Sequence, residues 1–253
     1  MDRTTLEKIV ESIKSKPNLR LSNYEAAIEH MKQENYSCFD TCNKMFFPKD
    51  DILIKCPIAT KRETIRNKEG HLPLRTKEMS FETFDVNRNP DAFYQCKFFV
   101  EDYKQNQDIN LILYGDLGTG KTHLAISIMK ELLYFSNFDN IEFEVFTNSY
   151  EFLKDTERLE RLKNCDLLIL DDLGAFPLNN WALETLYDII DWRYKNKLSH
   201  VITTNIGVEA ESSEEFINIF SNQLDPRITS RLLHNSNIVK LEGLDSRLIG
   251  ADE

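Results

Sequence analysis

Long apolar runs are missing from this chain: no stretch approaches the ~18 residues that a membrane-spanning helix requires. The opening Met1-Asp2-Arg3-Thr4 lacks the basic-then-apolar succession of a secretion signal. Both absences predict a soluble, cytoplasmic protein with no membrane partner. Cysteine is scarce and odd in number, five among 253 residues, which argues against a disulfide framework. Positive charge is short as well, since 31 Lys and Arg against 42 Asp and Glu leave a formal net charge of −11. So acidic a chain lacks the broad basic surface that duplex nucleic acid needs, although a local groove can still engage a single strand. Internal repeats and low-complexity tracts are also absent. The 41% of hydrophobic residues that remain suffice for one α/β core and a small additional module.

Against these absences one segment is dense with information. Gly115-Asp116-Leu117-Gly118-Thr119-Gly120-Lys121-Thr122 fits the phosphate-loop pattern G-x-x-x-x-G-K-[ST] at every fixed position. Leu111-Ile112-Leu113-Tyr114 before it predicts a buried strand. Thr122 to Phe135 after it, with Leu124, Ile128, Leu132 and Phe135 at helical spacing, predicts an amphipathic helix. In a strand-loop-helix context, backbone N–H groups converge on a phosphate with the positive end of the helix dipole behind them. Lys121 then faces the β and γ phosphates, the Thr122 hydroxyl suits Mg²⁺, and the next residue, His123, joins the nucleotide-binding set.

Such a site needs an acid on a neighbouring strand, and Asp166-Leu167-Leu168-Ile169-Leu170-Asp171-Asp172 runs four apolar residues straight into two carboxylates. Ligands of open α/β sheets gather at the carboxyl ends of strands. Asp171 is therefore assigned to Mg²⁺ and Asp172 to polarising the attacking water, because adjacent side chains must point in different directions. Asn205, after Val201-Ile202-Thr203-Thr204, either holds water or the γ-phosphate or is an ordinary turn residue. Arg227 and Arg231 are four apart; they suit neutralisation of a transferring phosphoryl group, often from a neighbouring subunit, or equally a solvated helix edge.

The order and spacing of these pieces resemble the AAA+ helicase loaders of the DnaC/DnaI type, related to the IstB transposition ATPases. The resemblance covers most of the chain. It is carried by Ser80-Phe81-Glu82-Thr83-Phe84, by Leu170-Asp171-Asp172-Leu173-Gly174-Ala175 with Trp181 following, and by Asp191-Trp192-Arg193-Tyr194. Thr203-Thr204-Asn205, the Arg227 to Arg231 segment and Gly243-Leu244-Asp245-Ser246-Arg247 complete it. It implies that Asn205 is the sensor-1 residue, that Arg231 is a trans-acting arginine finger with Arg227 beside it, and that the segment around Phe81 and Phe84 approaches adenine. It also suggests Arg193 at a subunit interface, whereas the sequence alone suits an exposed partner of Asp191 or Glu184. A last strand at Asn237 to Leu241 leaves no room for the helical lid of most AAA+ proteins, as in the loader branch.

The predicted helix from Ser149 to Lys163 carries Lys154, Arg158, Arg161 and Lys163, where loader and initiator ATPases place a DNA-facing insertion. Asp155, Glu157 and Glu160 interleave, so it reads either as a single-stranded DNA contact or as a solvated, ion-paired helix. Earlier, Thr4 to Ser15 and Tyr24 to Glu34 predict short helices. Cys38, Cys42 and Cys56, with thirteen residues between the last two, offer three of the four ligands of a structural zinc site. His30 or His71 is a candidate fourth ligand; the alternative is free buried cysteines. DnaI-type loaders carry a zinc-binding, helicase-contacting amino-terminal domain, which the resemblance implies here. Lys61 to Glu78, with six basic and three acidic residues broken by Gly70 and Pro73, predicts a linker.

The expected organisation is thus a small, mainly helical amino-terminal module over 1–60, a linker over 61–79 and an AAA+ domain over 80–253. That domain has a five-stranded, mostly parallel sheet with strands near Leu111, Phe143, Leu167, Val201 and Ile238. The expected activity is ATP hydrolysis, weak without partners, that loads a hexameric replicative helicase onto single-stranded DNA, with self-association through the ATP sites. ATP, Mg²⁺ and Zn²⁺ are the expected cofactors. The alternatives are an IstB-like regulator of transposition, a helicase adaptor without productive turnover and, less in keeping with Asn205 and the paired arginines, a small-molecule kinase.

Overall fold

The computed structural model describes residues 46–49, 52–55, 76, 78–135, 143–147, 156–175 and 179–246. The chain divides into two compact units, Met1–Pro73 with Leu132–Asp139, and Leu74–Glu131 with Asn140–Glu253. In the first unit, β1 (Phe46–Lys49) and β2 (Ile52–Lys55) form an antiparallel hairpin with Phe46 opposite Lys55. The sequence predicts a mainly helical module here, but Phe46-Phe47 and Ile52-Leu53-Ile54 are rich in the aromatic and β-branched types that favour a pleated strand. Both predicted helices of this module, and Cys38, Cys42 and Cys56, lie outside the described residues.

In the second unit, β3 (Asn110–Gly115), β4 (Phe143–Thr147), β5 (Leu167–Leu173), β6 (Ser199–Thr204) and β7 (Ser236–Leu241) form one sheet in the order β4-β5-β6-β3-β7. Every pairing is parallel. All six residues of β3 and of β6 are buried, as a central strand covered on both faces requires. The helices between strands are α1 (Pro90–Gln105), α2 (Lys121–Phe135), α3 (Thr156–Asn164), α4 (Asn180–Lys195), α5 (Ser213–Gln223) and α6 (Pro226–Leu232). Alternation of strand and helix in a wholly parallel sheet is the α/β class expected from sequence, and the five strands fall where the resemblance to AAA+ proteins implies. No lid is evident among the described residues.

Strand order decides where chemistry gathers. β3 lies between β6 and β7 while its successor β4 lies at the far edge, so the carboxyl ends of β3, β5 and β6 border one crevice. One side of the core holds these strands in register: Ala182, Leu186, Ile189 and Ile190 of α4 share a buried cluster with Leu168, Leu170 and Ile202. Tyr114 adds a ring contact to Phe216 of α5, with centroids 4.2 Å apart.

Two buried polar side chains tie the opposite ends of these strands. Arg193 is 1% exposed. It donates to the carbonyls of Leu162 (3.0 Å), Lys163 (3.3 Å) and Cys165 (2.8 Å), and to that of Ser199. Both sequence-based expectations for Arg193, an interface residue or an exposed ion-pair partner, are therefore corrected. Carbonyls left over at the end of α3 need a multiply donating side chain, and a guanidinium supplies it.

His200 of β6 donates from Nε2 to the Leu232 carbonyl at 3.1 Å. Burial pushes its imidazole down to about 3 from the ordinary 6.5. The unfolded chain then binds an extra proton between those values, so stability falls as pH drops through that window, by about 1.4 kcal/mol per unit where the difference is complete. Above pH 6.5 the contribution to the slope vanishes. His200→Gln keeps a donor for Leu232 without the titration. In urea unfolding at pH 7, 5.5 and 4.5, the wild type should lose stability faster than this variant by about 1 kcal/mol per unit at the acid end. Parallel profiles would contradict the assignment.

Candidate nucleotide site

The phosphate loop closes β3 and opens α2, whose first-turn N–H groups and positive dipole end border it. Two of its glycines are dictated by close neighbours. At Gly118 (φ +67°) a Cβ would fall 1.7 Å from Asp245 Oδ1, and at Gly120 (φ +105°) it would fall 2.7 Å from Phe84 Cε2. Lys121, 5% exposed, folds against the loop and donates from Nζ to the carbonyls of Gly115 (2.8 Å) and Asp116 (2.6 Å). Thr119 Oγ1 donates to Asp116 O at 2.9 Å, which shapes the loop from within. The rest of the predicted nucleotide-binding stretch, Leu117 included, lies in this same turn, and Leu117 is 60% exposed.

The structure joins the predicted metal ligands directly. Thr122 Oγ1 donates to Asp171 Oδ1 at 2.7 Å, and Thr203 Oγ1 of β6 donates to the same oxygen at 2.7 Å. Burial pushes the Asp171 carboxyl up from its usual range; the bonds from Thr203 and Thr122 oppose that shift, Asp172 adds to it and Lys121 counters it. A hydroxyl and a carboxylate meeting beside a phosphate loop are the oxygen ligands that Mg²⁺ prefers. Asp172 takes φ 56° and donates its N–H to Thr203 Oγ1 at 2.8 Å. Asn205 follows β6 next to the Thr204–Leu173 pairing, and its Oδ1 is buried without a hydrogen-bond partner. An amide oxygen held dry and unmatched beyond the end of β6 fits a bound water that donates to it.

On the other side of the loop, Phe81 and Phe84 are both buried, flanking Phe93 of α1 at centroid distances of 5.4 Å and 6.0 Å. Phe84 also meets His123 edge-on at 5.3 Å. His123 Nε2 lies 2.8 Å from Ser80 O and 3.2 Å from Thr83 Oγ1, and burial lowers its pKa from the ordinary range. The Ser80 to Phe84 segment thus docks on the loop, with Phe84 packed rather than free.

Asn89 was not singled out by sequence. Its amide donates to Thr119 O (3.4 Å) and Glu242 O (3.0 Å) and accepts from Glu242 N–H (3.0 Å), stapling the loop to the end of β7. Asn89-Pro90 signals a helix start but nothing about Glu242, which is 153 residues away. Beyond β7, Ser246 N–H and Oγ both donate to Gly118 O, at 3.1 Å and 2.9 Å.

The remaining candidates lie elsewhere. Arg231 of α6 donates from Nε to Asp191 Oδ1 of α4 at 2.8 Å and reaches Tyr187 Oη at 3.3 Å. Arg227, one turn earlier, pairs with Asp225 (2.8 Å), and both guanidinium groups lie over the Tyr187 ring. Arg158, Arg161 and Lys163 are on α3, Arg161 exposed and the other two half-buried; Lys154 lies outside the described residues. Among the described residues no group of three or more His, Cys, Asp and Glu side chains could hold a metal ion, and no helix is long and apolar enough to cross a membrane.

A protein-family model described as IstB-like ATP binding protein matches residues 78–250. The chain is 25% identical over 229 residues to the phage-like element PBSX protein XkdC of Bacillus subtilis (strain 168), covering 83% of this chain and 85% of that one. It is 28% identical over 162 residues to the replicative helicase loader DnaC of Escherichia coli (strain K12), covering 60% of this chain and 64% of DnaC. A crystal structure of the DnaC helicase loader superposes with a TM-score of 0.58 at 25% identity, covering 67% of this chain and 100% of that one.

Gly120→Ala tests the packing of the loop. Because the new Cβ meets Phe84 and the backbone conformation disfavours a side chain, ATP affinity measured by calorimetry should fall about tenfold or more with the fold intact by circular dichroism. Unchanged affinity would mean that the loop does not bind nucleotide in this geometry.

Proposed function

Because the chain belongs to the family of IstB-like ATP binding proteins, we propose that it hydrolyses ATP and uses that cycle to load a hexameric replicative helicase onto single-stranded DNA. The observation that carries the ATPase reading is the Thr122–Asp171 contact beside the phosphate loop, 2.7 Å between hydroxyl and carboxylate. Lys121 neutralises the β and γ phosphates, while Thr122 and Asp171 hold Mg²⁺, which when bound withdraws charge from them. Asp172 orients and polarises the attacking water, and the Asn205 amide steadies that water or the γ-phosphate. The Phe84 segment, with His123 behind it, borders the adenine side.

In this reading Arg231 serves the nucleotide of an adjacent subunit, so ATP sites form where copies or partners meet. Its pairing with Asp191 keeps the guanidinium ordered until a phosphate replaces the carboxylate, an exchange of one near-surface anion for another. The loader assignment rests on the likeness to a replicative helicase loader across 60% of the chain. The module over 1–60 grips the helicase, with Cys38, Cys42 and Cys56 holding Zn²⁺, and Lys154, Arg158, Arg161 and Lys163 line the single-stranded DNA contact. The setting is the cytoplasm. A second reading is an ATPase that regulates transposition; what supports it is 30% identity over 145 residues to an insertion sequence IS21 putative ATP-binding protein of Pseudomonas aeruginosa.

Mixing the protein with the replicative helicase of its host and measuring complex mass separates the two. A complex stable in ATP and altered in ADP is expected; no complex in either nucleotide would favour the transposition reading. Within the assembled complex, Arg231→Ala should leave ATP affinity unchanged and lower turnover by about 10³-fold. Undiminished turnover there would reassign the finger to another residue.

A further inference from the structure

We propose that Thr203 is a positioning residue that locks the metal-binding carboxylate of Asp171, the backbone of Asp172 and the strand carrying Asn205 into one unit; the inference rests on the ATP-binding reading of the site. Its basis is a fault in the sheet. β5 and β6 pair regularly through Leu170 and Ile202, then resume at Leu173 and Thr204. Two residues of β5, Asp171 and Asp172, therefore stand opposite the single residue Thr203, which is a bulge. A regular strand would send the two acids to opposite faces of the sheet; the extra residue breaks that alternation where the site needs both.

Thr203 is fully buried, and both capacities of its hydroxyl are used. The hydroxyl donates to Asp171 Oδ1 at 2.7 Å and accepts the Asp172 N–H at 2.8 Å. Asp172 at φ 56° occupies a conformation that side chains rarely adopt and that needs outside support. The hydrogen bond to its N–H supplies that support from the neighbouring strand. Asp171 Oδ1, bonded to Thr122 and Thr203 together, has its rotamer fixed by two donors from two different elements. The adjacent Thr204 repeats the device on the backbone: it donates to Leu173 O at 2.7 Å and accepts the Ile206 N–H at 3.0 Å, which frames Asn205. Groups that orient a metal ligand in this way tune its affinity for the metal without touching the ion.

Thr203→Val keeps the shape and deletes the hydroxyl; Thr203→Ser keeps the hydroxyl. Mn²⁺ binding in the presence of ATP, read by electron paramagnetic resonance, should weaken about 10- to 100-fold in the valine variant. ATP binding in EDTA should hold, kcat should fall with KM for ATP nearly unchanged, and the serine variant should recover wild-type metal affinity. If the valine variant does not fold, Thr203→Ala against Thr203→Ser isolates the same hydroxyl, since both lack the methyl group. A folded valine variant with wild-type Mn²⁺ affinity, or an alanine variant equal to serine, would overturn the proposal. Failure of the wild type to bind Mn²⁺ with ATP would instead remove the underlying nucleotide-site reading.

Discussion

A carboxylate enclosed at the carboxyl edge of a parallel sheet must be kept in one orientation and supplied with donors, and much of this domain is arranged around that requirement at Asp171. Burial opposes its charge, so its neighbours answer with hydroxyls: Thr122 from the start of α2 and Thr203 from β6. These two donors come from elements far apart in sequence that the strand order makes adjacent. β3 delivers the phosphate loop and Lys121 beside β6, and β6 delivers Thr203 and Asn205 beside β5. The site is where three strands end, and the central pairing β3–β6 sets its width.

The loop itself is held from both ends of the domain. Phe84 rests against Gly120 from the segment before α1, while Asp245 and Ser246 close on Gly118 from the segment after β7. Asn89 connects these two sides through Thr119 and Glu242. A phosphate-binding turn must present its N–H groups in fixed directions, and short-range sequence cannot hold a glycine-rich turn still because glycine is permissive. Long-range packing does so here, which explains why segments at opposite ends of the domain carry family-like motifs.

Such pairings also mark the boundary of what the sequence discloses. The phosphate loop, the apolar run into Asp171-Asp172 and all five strands are legible because each is a local pattern with a local physical cause. The bulge opposite Thr203 is not, since it is a property of two strands in register and leaves no periodic trace in either. Arg193 misleads for a related reason. Helical spacing predicts an exposed arginine, yet the carbonyls it satisfies belong to α3 and β6, which periodicity in α4 cannot reveal. Phe46-Phe47 and Ile52-Leu53-Ile54 are each too short to carry a period, so the β1–β2 hairpin they form does not stand out within a module whose longer stretches have helical spacing.

The contrast between Asp171 and Asp191 bears on how a nucleotide signal would leave this domain. Asp171 is buried, doubly hydrogen-bonded by threonines and built into the sheet, so its orientation is set by groups of this chain. Asp191 lies near the surface and takes its partners, Lys195 and Arg231, from cationic side chains on helices. A pairing of that kind is cheaply exchanged, because the cation loses one anion and gains another without a buried charge being stranded. Under the proposed function, rigidity belongs to the groups that hold nucleotide in this chain and exchangeability to the group offered to the next. Under that same function the division would let one copy sense whether its neighbour carries phosphate without disturbing its own site, with the exchange on the α4–α6 face rather than in the crevice.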